Sequence, residues 1–326
     1  MPAISPLFEP GRIPELKVRI AGVGSYVPER RLTNEEIASV VDVDPNWVRD
    51  KLGIQERRIA AEQELTSDMA LSAARSALSV AGLDPSDVGL VVLATTTPDR
   101  QAPATACRVT QGLGIPEVPA FDLSAVCSGF LYALTTAAHC LQGGLRDTAL
   151  VIGADAFSRI TNWKSRDCVF FGDGAGAVIL ERSAADAAFF LSSLGADATG
   201  YDYFTIYPGD QHFSMDAKGV YCSAKEMVSG LAKRTLERAG LHPTDIDHVI
   251  PHQPSITLLK AISREVGVSF NKFWLHMDRY ANTAAGTIPI ALEDARRSGE
   301  LKHGDWMLFA AAGAGMTSGV ALYRWH

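Results

Sequence analysis

A chain of 326 residues, 47% of them hydrophobic, is long enough to bury one large core or two medium ones. A formal net charge of −7 and the lack of a Lys/Arg cluster argue against a general nucleic-acid binder. Residues 1–17 read as no secretory signal, and the longest apolar runs are too short or too glycine-rich to span a bilayer, so no membrane association is expected. The five cysteines (Cys107, Cys127, Cys140, Cys168 and Cys222) are odd in number, scattered and without a CxxC pair. That fits a reduced cytoplasmic protein with neither a disulfide framework nor a zinc site.

In chain order, residues 17–28 read as a strand, 68–82 as a helix, 89–97 and 118–123 as strands, 129–144 as a helix and 148–154 as a strand. The rest of the chain offers matching pieces: a helix at 226–240, strands at 248–253 and 273–278, a helix at 284–299 and a strand at 306–315. Apolar strand-like runs alternating with longer helix-like runs predict an α/β protein with buried sheets.

The two halves also align in sequence. AGLDPSDVGLVV at 81–92 matches AGLHPTDIDHVI at 239–250 with an offset of 158, and residues 140–154 resemble 296–311 with an offset near 156. DLSAVCSG then falls opposite DRYANTAA, which puts Cys127 and Asn282 at roughly equivalent places, each at the start of the same helix in its own half. Such a long period predicts two similar α/β halves rather than a solenoid, divided as 1–185 and 186–326 and sharing one core.

Three residues fall at strand–helix junctions, where α/β folds place their chemistry. Cys127 lies at the start of a helix, where the dipole and unpaired N–H groups lower a thiol's pKa. It could equally be a packed core thiol, as Cys107 and Cys140 are expected to be. His252, after the strand at 248–251, could be an acid, a base or a hydrogen-bond donor, or simply a satisfied strand-end histidine. Asn282 could be a plain N-cap. The glycine-rich runs at 170–180 and 310–325 carry no GK[ST], and Pro28 stands where a dinucleotide fingerprint needs a helix. Close backbone approach to a substrate, or an N–H serving an oxyanion, explains those glycines better.

Several motifs together resemble a known family: GVGSYVPERRLTN, GIQERRIA, FDLSAVCSGF, FGDGAGAVIL, PHQ before a helix, ANTAAGTIPIAL and the final GAGMTSG. In order and spacing the chain is similar to β-ketoacyl-ACP synthase III, the initiating condensing enzymes, from about Lys17 to Trp325. The resemblance implies a thiolase fold, two duplicated halves in a five-layered α-β-α-β-α arrangement, and a homodimer. It implies that Cys127 takes an acyl group while His252 and Asn282 assist decarboxylation of a malonyl-type thioester. The oxyanion hole would be the backbone N–H groups of Cys127 and Ala314. CoA or phosphopantetheine thioesters are then the substrates, with an acyl carrier protein as partner and no metal or other cofactor.

Trp47 and Arg166 match positions that sandwich the CoA adenine, and a neighbouring arginine is here Lys51, which keeps the charge but loses the planar fork. Pro254, Ser255, Ile256 and Thr257 replace the family's Ala-Asn-x-Arg, which questions ordinary carrier docking. Ala102 stands where many members place a bulky residue from the partner subunit, implying a wider acyl pocket and specialised metabolism. The rival reading is an acyltransferase of the same fold, passing the Cys127-bound group to a hydroxyl or amine with His252 as base.

Overall fold

The computed structural model describes residues 15–185, 188–207 and 209–326; residues 1–14, on which the signal-peptide reading largely rests, lie outside the described residues. Thirteen strands are described: β1 Val18–Tyr26, β2 Arg30–Thr33, β3 Glu56–Ile59, β4 Leu90–Ala94, β5 Ala120–Leu123, β6 Thr148–Asp155, β7 Gly174–Arg182, β8 Phe190–Ala196, β9 Phe204–Thr205, β10 Ser214–Met215, β11 His248–Pro251, β12 Trp306–Gly313 and β13 Thr317–Arg324. Five of them form a sheet in the order β1-β7-β6-β4-β5, and four more a sheet in the order β8-β13-β12-β11.

The two sheets repeat one pattern. β7 runs antiparallel to β1 and β6, while β6, β4 and β5 are mutually parallel. In the second sheet β13 runs antiparallel to β8 and β12, and β11 lies parallel to β12. β4 is buried at every position, as a strand covered on both faces must be.

Five layers follow from which helices touch which strands. Helix Thr66–Ala81 covers the outer face of the first sheet, against β1 and β7. Helices Gly129–Gln142 and Thr287–Ser298 lie between the sheets and touch strands of both. Phe130, Leu134, Ile288 and Leu292 from that layer pack with Val92 and Phe309 in one core. Helices Ala217–Ala239 and Ile256–Val266 close the far side. This is the expected α-β-α-β-α arrangement.

The duplication extends to the turns. Gly82 and Gly240 cap equivalent helices in the left-handed region, at φ 68° and 67°. Turns Pro85–Asp87 and Pro243–Asp245 follow, each closed by an aspartate that accepts the N–H three residues back.

Two expectations change. The strand at 273–278 is reduced to a single parallel bridge between Val249 and Phe273, followed by the short helix Met277–Tyr280. The cause is Gln253, whose buried Oε1 accepts the N–H groups of His276 (2.9 Å) and Met277 (3.1 Å) and so takes them from any ladder. The pairing of Cys127 with Asn282 also shifts. The turns Val126–Ser128 and Ala284–Gly286 both open on a residue of positive φ, Val126 at 48° and Ala284 at 47°. Their separation, 284 − 126 = 158, sets Cys127 opposite Ala285 and Asn282 opposite Ser124.

Candidate active site

Cys127 sits in a tight turn between β5 and helix Gly129–Gln142, 8% exposed. Val126 before it holds a φ that a β-branched residue adopts only under constraint. The constraint is visible in Ser128. Its N–H and its Oγ–H both reach the Ala125 carbonyl, at 3.1 and 2.9 Å. Its Oγ also lies 2.8 Å from Thr317 Oγ1, and that hydroxyl is within 3.1 Å of the Ala314 carbonyl. The last glycine-rich loop is thereby tied to the cysteine turn. Gly313 is the contact point, because a Cβ there would stand 2.4 Å from the Ala125 oxygen.

His252 follows β11 and extends its ladder, its N–H donating to Ala310 O at 2.8 Å. Asn282 is clamped by its backbone: its N–H donates to Phe170 O at 3.1 Å and its carbonyl accepts from Gly172 N–H at 3.0 Å. Its Oδ1 accepts the Ala284 N–H at 2.9 Å and lies 3.0 Å from His252 Nε2. An oxygen already accepting from a backbone N–H can pair with the ring only if Nε2 carries the hydrogen, so His252 is a donor here.

Burial governs the titration of this site. It pushes the Cys127 thiol up to about 12, helped by the negative charge of Asp155, while the Asn282 side chain and the cysteine's own N–H pull weakly the other way. The lowered thiol pKa expected from the helix N-terminus is therefore not found: desolvation outweighs the dipole. Burial also lowers His252 to about 4, against the opposing hydrogen bond with Asn282. Asp155, at the end of β6, is raised to about 6 by burial although it accepts hydrogen bonds from Thr95, Thr96, Thr97 and the Ala285 N–H. It joins the β4 loop to the turn that follows Asn282.

Cys127, His252, Asn282 and Ala314 line one cavity with Phe170, Phe204 and Met215. The Arg166 guanidinium lies 5.9 Å from the Trp47 ring centroid, with Trp47 38% exposed. Lys51 is exposed, and its carbonyl accepts from Thr257 Oγ1 at 2.6 Å. Thr257 thus anchors the start of helix Ile256–Val266 where the family pattern has an arginine. Ala102 is exposed and does not line the cavity of its own chain.

Sequence reasoning missed Asp155 and the aromatic wall of Phe157, Phe171, Phe204 and Phe213 packed around Cys127. The run FFGDGAGAVIL held one signal, adjacent phenylalanines beside the glycines. Those glycines serve the protein's own packing: a Cβ on Gly176 would meet Pro289 at 2.7 Å, and one on Gly172 would stand 2.4 Å from the Tyr280 oxygen.

Comparison with known proteins bears on this site. The sequence profile of 3-oxoacyl-[acyl-carrier-protein] synthase III matches residues 121–198, and that of its C-terminal region matches 236–325. The chain is 42% identical to β-ketoacyl-[acyl-carrier-protein] synthase III of Erythrobacter litoralis, over 95% of this chain and 100% of that one. It is 42% identical to the protein of that name in Neisseria meningitidis, over 94% and 99%. The crystal structure of 3-oxoacyl-[acyl-carrier-protein] synthase III from Aquifex aeolicus superposes with a TM-score of 0.91 at 36% identity, covering 94% of this chain and 100% of that one. The priming β-ketosynthase of the R1128 polyketide pathway gives 0.90 at 30% identity, covering 97% and 99%. The fold is that of the thiolase-type condensing enzymes. Within that class the chain belongs to the β-ketoacyl-[acyl-carrier-protein] synthase III family.

Proposed function

We propose that this acyltransferase makes a carbon–carbon bond in two stages. Cys127 Sγ attacks the carbonyl of an acyl thioester, the carrier thiol leaves with a proton, and the acyl group stays on sulfur. The N–H groups of Cys127 and Ala314 would receive the oxyanion, a role supported by the polar contacts of Thr317 with Ser128 and Ala314, which bring their loops together. A malonyl-type thioester then binds with its carbonyl between His252 Nε2 and Asn282 Nδ2. Its C–CO2 bond breaks, the electron pair becomes an enolate held by those donors, and the carbanion attacks acyl-Cys127. The C–S bond breaks, and a β-ketoacyl thioester leaves a thiolate to be reprotonated.

The observation that carries this reading is a neutral, proton-donating His252 beside Asn282. It can stabilise an enolate at neutral pH without first losing a proton. Simple acyl transfer to a hydroxyl or amine would ask the same ring to be a general base, a task ill suited to a pKa near 4.

The remaining assignments belong to the same proposal. Trp47, Arg166 and Lys51 would hold the nucleotide of CoA, with phosphopantetheine as the common arm and no further cofactor. A homodimer in the cytoplasm would bring Ala102 to the partner's acyl pocket, and residues 1–185 and 186–326 are the two halves. Among the described residues no helix is long and apolar enough to cross a membrane. Malonyl groups offered on CoA and on an acyl carrier protein would separate the carriers. Intact-protein mass spectrometry with acetyl-CoA should find one acyl group on the wild type and none on Cys127→Ala, and malonyl thioester should then release CO2. Ester or amide formation without CO2 would overturn condensation, and labelling that persists on Cys107 or Cys168 would overturn the nucleophile.

A further inference from the structure

The cavity that holds Cys127 does not stop at the reacting atoms. It continues between the four-stranded sheet and the two helices that cover it, Ala217–Ala239 and Ile256–Val266. Val249 on β11 and Leu308 on β12 line its floor. Val228 and Ala232, one turn apart on the long helix, form one wall; Ile262 and Val266, one turn apart on the short helix, form the other. Every side chain of this inner limb is a hydrocarbon, so it holds no donor or acceptor for a polar ligand.

Close-packed interiors leave few voids larger than a water, and a void lined only by aliphatic groups stays dry and takes apolar guests. The length is set by helix Ile256–Val266, since both Ser255 before it and Val266 at its end line the cavity. Eleven steps of helical rise make about 16 Å, which an extended alkyl chain of about twelve carbons would span.

We infer that this inner limb receives the alkyl chain of a medium- to long-chain acyl group carried on Cys127, with Val228 and Ala232 setting the chain length accepted. The site lies within one chain, unlike the widening expected from Ala102. The inference rests on Cys127 being the acyl carrier, as proposed above.

The test uses acetyl-CoA and dodecanoyl-CoA in separate incubations, with acylation of Cys127 followed by intact-protein mass spectrometry. The wild type should be dodecanoylated at a rate within about tenfold of acetylation. Val228→Phe and Ala232→Leu, which add volume to the wall, should lower the dodecanoyl-to-acetyl rate ratio by at least about tenfold. Scoring each variant by its own ratio removes any loss from partial unfolding. A wild type that takes acetyl but no dodecanoyl groups overturns the inference and leaves the acyl-carrier reading standing, as do wall variants with an unchanged ratio. Failure of both thioesters to label Cys127 overturns that reading and this inference with it.

Discussion

Asn282 fixes the tautomer of His252. The amide oxygen that accepts the Ala284 N–H at 2.9 Å is the same atom that faces Nε2 at 3.0 Å, so the ring must present a hydrogen there. One carboxamide thus converts a buried imidazole into a donor and keeps Nδ2 as a second donor of its own.

Asn282→Asp keeps the shape and reverses that logic. The carboxylate raises the His252 pKa from about 4 and removes the second donor. Cys127 should still be acylated, while CO2 release from malonyl thioester falls by about two to three orders of magnitude. Measuring both steps on one preparation checks this; an equal fall in both would place Asn282 in acylation instead.

The thiol should behave as a buried, protonated group until substrate arrives. With Cys127 held up at about 12, its alkylation by iodoacetamide should rise about tenfold per pH step between 7 and 9. The exposed Cys107 and Cys222 should be labelled first. Peptide mapping by mass spectrometry would show the order, and early labelling of Cys127 with a flat pH profile would mean a resident thiolate.

Acid stability depends on two buried groups of opposite sign. His252 is lowered from 6.5 to about 4, so as pH falls through that window the unfolded chain takes the proton first and folding is weakened. Asp155 is raised from 3.8 to about 6, so there the folded chain takes the proton first and folding is strengthened. Each displacement is worth about 3 kcal/mol, and the two nearly cancel. Asp155→Asn removes the compensating member, so its stability in urea should fall by up to about 3 kcal/mol more than the wild type's between pH 6 and 4. Parallel pH profiles would refute the pairing.

Gly313→Ala tests the tie between the last loop and the cysteine turn. Its Cβ would stand 2.4 Å from the Ala125 oxygen and 2.9 Å from the Ser128 nitrogen, both backbone atoms that cannot rotate away. The expected cost is roughly 1–3 kcal/mol of stability. Acylation should slow by at least about tenfold as Ala314 moves from the turn. A melting curve and acylation kinetics report the two effects separately.

Much of the architecture was legible because the duplication is carried by residues with local rules. Gly82 and Gly240, Pro85 and Pro243, and the strands β4 and β11 repeat at the one offset of 158. The offset slipped near the site because DLSAVCSG and DRYANTAA share little beyond a leading aspartate and an alanine, so their letters align in more than one way. Only the positive φ of Val126 and Ala284 fixes their register. The strand expected at 273–278 failed for a similar reason, since nothing in FWLHMD reveals that the Gln253 side chain claims the ladder's N–H groups. Cys127, His252 and Asn282 stood out as chemistry at element ends. The raised thiol pKa did not, because desolvation comes from Phe157, Phe171 and Phe213, which the fold gathers from distant segments. Nothing in the helix read at 226–240 marks Val228 or Ala232, because an unfilled volume leaves no pattern in sequence.

The seam between the halves has a consequence for how this scaffold can diversify. At Gly153, Gly174 and Gly286 the two halves meet backbone to backbone, so the spacing between the cysteine turn and the asparagine turn is set by atoms common to all residues. The acyl-facing walls, by contrast, are made entirely of side-chain volume. Appetite for different starters can therefore drift by single replacements while the reacting groups keep their distances.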